Sequence, residues 1–277
     1  MKFRVYEPCP SFPPISLSHE CKLNCQHCHG HYLDGMTTMP PPELFDYALT
    51  LAEKGARGIL VSGGSDCHGR LLHLKEVLDA LAAIRKQTGL IIAVHTGIVD
   101  ADLAARLSTA CDVAFIDVVG SDDTAREIIG LENAVPYWET MHLLVDAGIL
   151  VTPHVTIGLH QGRIVGERAA IDFIASQPVE KMVINMVCPT KGTPFASVTL
   201  PSVAAIASLL TYAVEQCGNV VLGCMRPRNR PDIEQAAIEA GVRDMVLPSR
   251  ETLEALEADG VAIEHLPVCC GLPFCFL

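Results

Sequence analysis

Short apolar runs alternate with longer amphipathic stretches along nearly the whole chain. Eight short runs predict strands: Ile15–His19, Gly58–Ser62, Leu90–His95, Val113–Val118, Leu150–Gly158, Lys181–Cys188, Asn219–Cys224 and Asp244–Leu247. Between them apolar residues recur at helical spacing. Over Glu43–Lys54, Leu44, Ala48, Leu51 and Ala52 form one stripe, after a run of prolines that stops whatever precedes it. The same spacing predicts helices over Leu74–Thr88, Ala101–Thr109, Trp138–Ala147, Ala169–Ser176, Val203–Gln216, Asp232–Ala240 and Glu251–Asp259. Gly55, Gly89, Gly148, Gly241 and Gly260 follow helices, where a left-handed cap suits glycine.

Strand–helix units in this number, at about 250 residues, predict an α/β fold: a (β/α)8 barrel of TIM type. We find no linker and no fixed-length repeat. Residues 1–277 are therefore expected to form one domain, with cysteine-bearing extensions at both ends and a cysteine-rich tail over 261–277. A six-unit partial barrel with a separate C-terminal extension is the alternative. Chemistry in such a barrel sits at the C-terminal strand ends. Cys21, Ser62–Gly64, His95–Thr96, Asp117, Gly158, Pro189–Thr193 and Cys224–Arg226 all fall there.

Composition narrows the choice of partners. Of the 277 residues 49% are hydrophobic and 19% charged, enough for a large core and too apolar for disorder. A net charge of −12 argues against a duplex nucleic acid or an anionic membrane, since both need a basic footprint. Met1–Pro14 holds Lys2 and Arg4 but no apolar signal core, and no apolar run is long enough to span a bilayer. The expected location is cytoplasmic. There, twelve cysteines point to metal or redox chemistry rather than to disulfides. Cys111 and Cys217, alone near apolar segments, read as ordinary buried thiols.

Cys21, Cys25 and Cys28 spell C-x3-C-x2-C just after the first predicted strand. Three thiolates on one loop can hold three irons of a cubane and leave the fourth iron open to a ligand. A structural zinc site, with His29 or His31 as fourth ligand, is the other reading. Four further segments sit at strand ends: Ser62-Gly63-Gly64-Ser65-Asp66, Gly158 to Glu167 with Ile164 inside it, Pro189-Thr190-Lys191-Gly192-Thr193-Pro194, and Gly223-Cys224-Met225-Arg226-Pro227. A buried Arg226 would want an anion. The C-terminus adds Cys269, Cys270 and Cys275 around a Gly-Leu-Pro turn. A second cluster would tie down such a terminus, with Cys9, Cys67 or Cys224 supplying or replacing a ligand.

The cysteine triad, with His27 before its last member, resembles the radical S-adenosylmethionine (SAM) superfamily. That resemblance implies a [4Fe–4S] cluster on Cys21, Cys25 and Cys28 whose open iron chelates SAM. It also implies a low-potential electron donor of ferredoxin or flavodoxin type, and reductive cleavage of SAM to a 5′-deoxyadenosyl radical. The Ser62, Gly63 and Gly64 turn resembles the family's receiver of the SAM amino group, with Asp66 in place of the usual acid. The segment around Ile164 is similar to the one lying along the adenine. The segment around Thr193 resembles the Pro-x-x-Gly-Thr-Pro of biotin-synthase-like members, where it would face a nucleoside. His95, Asp117 and His154 would bind SAM or orient the substrate.

With Arg226 and the C-terminal cysteines, the whole is most similar to components of the two-component lipoyl synthases. These imply an auxiliary [4Fe–4S] cluster as sulfur donor, an octanoyl-lysyl carrier protein as substrate, and a paralogous radical SAM partner. The cysteine triplet that precedes the barrel in single-protein lipoyl synthases is missing here. Methylornithine-type rearrangement, hydrogenase cofactor maturation, or a non-catalytic iron–sulfur electron-transfer or scaffold role are the alternatives.

Overall fold

The computed structural model describes residues 2–277. Its frame is a curled, eleven-stranded, all-parallel sheet. The strands are β1 Lys2–Tyr6, β2 Pro14–Ser16, β3 Thr37–Thr38, β4 Gly58–Ser62, β5 Ile91–His95, β6 Val113–Asp117, β7 Leu150–Ile157, β8 Met182–Met186, β9 Val220–Leu222, β10 Asp244–Val246 and β11 Ala262–Leu266. All eight predicted strands are present and lie side by side in chain order, as β2 and β4 through β10. The six-unit alternative does not hold, because β9 and β10 continue the same sheet.

Three strands are additional. β3 lies outside β2, while β1 and β11 extend the other margin beyond β10. The sheet therefore ends on two unpaired edges, β3 and β11. The Lys2–Tyr6 strand carries its charge inward: Arg4 pairs with Asp244 of β10 at 2.7 Å. The β11 segment, Ala-Ile-Glu-His-Leu, has the look of a polar tail, yet pairs with β1 from Ala262 to Leu266.

Helices cover the outer face: α1 Leu44–Glu53, α2 Leu74–Thr88, α3 Ala101–Ala110, α4 Asp122–Thr124 running into a π turn over Ala125–Ile129, α5 Val135–Asp146, α6 Glu167–Ala175, α7 Val203–Cys217, α8 Pro231–Glu239 and α9 Arg250–Ala258. Asp100, Ser202 and Ser249 accept from the first turns of α3, α7 and α9, and prolines open α5 and α8. The five helix-closing glycines all have positive φ. The large core lies between sheet and helices, as strand alternation requires.

A second, smaller core fills the lumen. Tyr6, Ala93, Val113, Phe115, Val183, Val221 and Val246 face inward from six strands. The C-terminal tail packs among them, with Val268, Cys270 and Leu272 buried. The tail descends through the lumen: Thr152 Oγ1 donates to the Gly271 carbonyl at 2.6 Å, and Phe274 N–H donates to Glu180 beside the start of β8. There the Phe274 ring meets two cations, Arg4 at 4.2 Å and Lys181 at 4.3 Å from its centroid. The barrel is thus plugged from inside by its own terminus. Among the described residues, no helix is long and apolar enough to cross a membrane.

Candidate functional site

The cysteine loop leaves β2 and is clamped to the end of β4. Leu17 N–H donates to the Ser62 carbonyl at 2.9 Å, and Lys22 N–H to the Ser65 carbonyl at 2.6 Å. Gly64 makes this contact feasible: a Cβ there would lie 1.8 Å from the Glu20 carbonyl oxygen and 2.8 Å from Cys21 Cα. Gly63, at φ 154°, stands against Leu17 N and Ser16 Oγ. The glycine pair therefore holds the loop itself. Asp66 accepts from His68 and Arg70 N–H groups and closes its own turn.

Backbone N–H groups point at two of the three sulfurs. Ser65 N–H donates to Cys21 Sγ at 3.4 Å and Gly30 N–H to Cys28 Sγ at 3.2 Å. Burial pushes the Cys25 thiol up, and its neighbours Cys28 and Cys21 push it further. Burial also raises the Cys28 thiol. Cys25 and Cys28, raised in this way beside Cys21, need positive charge among them to become thiolates. A cluster core supplies it, so the donor set fits a [4Fe–4S] group.

Among the described residues, no three His, Cys, Asp or Glu side chains converge as the ligands of one metal ion do. His31 instead lies 3.4 Å from Asp34, and His29 is exposed. A cubane asks for one thiolate on each of three irons, not three on one ion. His27, next to Cys28, is buried near Tyr32 and Phe195, with ring centroids 5.9 and 6.2 Å away, and burial holds its pKa down to about 4.

Inside the mouth, β5, β6 and β7 present His95, Asp117 and His154. His95 Nε2 lies 3.5 Å from Asp117 Oδ2. The His154 ring stands edge-on to His95 and Phe115, at 5.4 and 5.3 Å between centroids. Burial first, then His95, lowers the His154 pKa to about 3, so the ring is neutral. Beside these, Asn185 of β8 faces the same lumen; no sequence motif marked it, although it alternates with the outward residues of its strand.

The two remaining segments flank this mouth. Gly192 approaches the His31 ring, and Thr193 Oγ1 donates to the Thr190 carbonyl while accepting from Phe195 N–H. Thr193 thus shapes a turn that lies on the cysteine loop. The Gly158–Glu167 segment is tied by buried Glu167, which accepts from the N–H groups of Gly158, Val165 and Gly166. Ile164 packs half-buried on the core. A narrow cleft, room for little more than a water, lies between Val118–Ser121 and Leu159, His160, Gly166 and Glu167.

Residues 15–164 match the radical SAM superfamily, a span of more than half the chain that contains the whole cysteine triad. The chain belongs to the radical SAM superfamily. Membership implies a [4Fe–4S] cluster and SAM as cofactors. Among solved structures, the [FeFe]-hydrogenase maturase HydG superposes with a TM-score of 0.68 at 14% identity, over 99% of this chain and 66% of that one. HydG from Carboxydothermus hydrogenoformans gives 0.67 at 17% identity, over 98% and 70%. The methylornithine synthase PylB gives 0.62 at 14% identity, over 95% and 84%. The chain spans about two thirds of the maturases' length, and at these identities the likeness shows the fold. No curated protein matches the sequence.

In this radical SAM protein a second group of thiols gathers where the C-terminal tail meets the loop after β9. Cys269 and Cys270, adjacent in the chain, oppose each other's ionisation, so one thiol of the pair is held high, Cys270, which burial also raises. Cys224, on the loop after β9, has its thiol exposed at the surface with Cys269 beside it; Cys188, after β8, is half-buried, and its thiol is raised by burial. Of the thiols that the sequence offers for a second cluster, this group contains Cys224, Cys269 and Cys270. Cys275 does not join the pair, because the tail carries it down to the base of the barrel beside Phe274. Cys9 and Cys67 are exposed on loops. Cys188, which ends a predicted strand, was the thiol that sequence reasoning passed over.

Arg226 is also reassigned. Its anion is internal: Nη2 donates to Glu234 at 2.9 Å and Nη1 to the Gly223 carbonyl at 2.7 Å. Glu234 further accepts from Ser249 N–H and Thr252 Oγ1. The pair fastens α8 to the ends of β9 and β10 and faces no ligand.

Proposed function

We propose that this radical SAM enzyme inserts sulfur into an octanoyl-type chain carried on a lysine of a carrier protein, in the manner of a two-component lipoyl synthase working with a paralogous partner. The observation that carries the reading is the second thiol group. Cys224, Cys269 and Cys270, with Cys188 beside them, would hold an auxiliary [4Fe–4S] cluster. An unactivated C–H bond offers no handle to an acid or base, so the cofactors supply a radical and a sulfide while the protein supplies position and dryness. The chain's own groups suit that task. The tail seals the lumen floor with Leu272 and Phe115, which excludes water from below. Neutral His154 and Asn185 line the wall where a substrate would lie. The Gly158–Glu167 segment would lie along the nucleoside of SAM, with Glu167 fastening the loop through its three backbone N–H contacts.

Carbon-skeleton rearrangement is the second reading, favoured by the fold shared with methylornithine synthase; it leaves the second thiol group without a role. Anaerobic incubation with SAM, a ferredoxin or flavodoxin reductant and an octanoyl-lysyl peptide, read by mass spectrometry, separates the two. A mono-thiolated peptide supports sulfur insertion. Abundant 5′-deoxyadenosine without substrate-dependent sulfur transfer, even with the partner present, refutes it.

A further inference from the structure

Among the buried side-chain atoms without a partner, two lie on neighbouring strands of the lumen wall. His154 Nδ1 and Asn185 Oδ1 are both buried and make no hydrogen bond. Their residues are 9% and 8% exposed. Unsatisfied groups at such depth are costly and mark places where a ligand completes the structure. They belong together. β7 and β8 are neighbours, and Asn185 pairs in register with Thr156, two positions beyond His154. Both side chains therefore face the lumen on the same side, one layer apart. Both are also held in place. His154 is fixed between the rings of His95 and Phe115. Asn185 is packed on Gly223, where a Cβ would fall 2.1 Å from its Oδ1.

The pair's chemistry selects the ligand. His154 is neutral, and the next group along the wall is the Asp117 carboxylate. An anionic ligand would meet no cation there and would face Asp117. The nearby buried cations are committed: Arg226 to Glu234, and Lys181 to the Tyr6 hydroxyl and the tail. A neutral group with one N–H and one carbonyl matches an amide oxygen and a ring N–H.

We infer that His154 and Asn185 bind a secondary amide of the substrate, and so select an amide-linked acyl chain over a free carboxylic acid. This rests on the sulfur-insertion reading for the identity of the amide, which would be the link between acyl chain and lysine.

The test is calorimetric binding to the anaerobic holoenzyme with SAM present and no reductant. The probes are an Nε-octanoyl-lysyl peptide and octanoate. Wild type should bind the peptide at least about tenfold more tightly than octanoate. Asn185→Leu and His154→Phe should each weaken the peptide about tenfold with SAM affinity retained, and His154→Gln, which keeps an N–H, should recover most of the loss. Peptide affinity unchanged in both variants, equal affinity for octanoate, no peptide binding by wild type, or SAM affinity falling in step with peptide affinity would each overturn the inference. Sulfur transfer is scored separately. Pair-dependent peptide binding without any thiolated product overturns the proposed reaction and leaves the amide pair standing.

Discussion

Gly271 passes so close to Phe115 that a Cβ on it would lie 2.5 Å from the ring. The same ring supports His154, so the C-terminal tail and the lumen wall are one packed unit. Gly271→Val must therefore push the tail or the ring aside, and overpacking of this kind costs about 1–3 kcal/mol. Gly35→Ala, with open space around it and no positive φ, serves as the control. Chemical denaturation of both variants should show a loss in the first only; equal midpoints would mean that the tail does not occupy the lumen.

Gly64→Val should act on the cysteine loop. The added side chain would collide with the Glu20 backbone and displace Cys21. The expected result is reduced iron at the triad together with weaker SAM binding. Full iron with normal SAM affinity would show that the β4 turn does not hold this loop.

Arg226 and Glu234 form a buried pair with side chains only 1% and 3% exposed. Removing one partner strands the other, at about 3–5 kcal/mol, so Arg226→Met and Glu234→Gln should both be strongly destabilised. The pH dependence has a definite sign. Burial alone would raise the Glu234 pKa, but Ser249, Thr252 and Arg226 together hold it below the usual value. A depressed carboxylate stabilises the fold above its unfolded pKa and loses that contribution as pH falls through the folded value. Wild type should lose this part of its stability only in acid, and Glu234→Gln should lack that acid step.

His154 works in the same direction by another route. It titrates near 6.5 when unfolded and at about 3 when folded, so below pH 6.5 the unfolded chain binds the extra proton. Stability should fall by about 2 kcal/mol between pH 7 and pH 5 from this residue. His154→Gln should flatten that slope in denaturation curves; an unchanged slope would mean that the ring is solvated.

Iron counts test the grouping of thiols. Replacing Cys21, Cys25 and Cys28 by alanine should remove about four irons, one cubane. Replacing Cys224, Cys269 and Cys270 should remove about four others and leave the first cluster spectroscopically intact. Cys275→Ala should leave the count unchanged. Iron lost on Cys275→Ala alone would restore the tail-only ligand set.

Much of this was legible in the chain. The eight central strands announce themselves as apolar runs, because a parallel sheet covered by helices is buried on both faces. The triad is local in sequence, and its spacing is its chemistry. Long-range facts were not legible. β1 and β11 are short, and β11, Ala-Ile-Glu-His-Leu, has no regular alternation; only their pairing with each other and with β10 makes them strands. Arg226 looks like a ligand-binding cation until α8 brings Glu234 beneath it. Cys275 sits six residues from Cys269 in the chain, yet the descending tail carries it away, while Cys224 comes close through the barrel. Asn185 carries no motif; only the curl of the sheet places it beside His154.

The most direct test of the account is a single turnover with cluster sulfide labelled as 34S. The holoenzyme would be reconstituted with the heavy isotope, then mixed with SAM, reductant, paralogous partner and an octanoyl-lysyl peptide containing no label. The account predicts a peptide that has gained sulfur carrying the 34S mass, and none when Cys224, Cys269 and Cys270 are alanine. Formation of 5′-deoxyadenosine with no labelled sulfur in the peptide would contradict it.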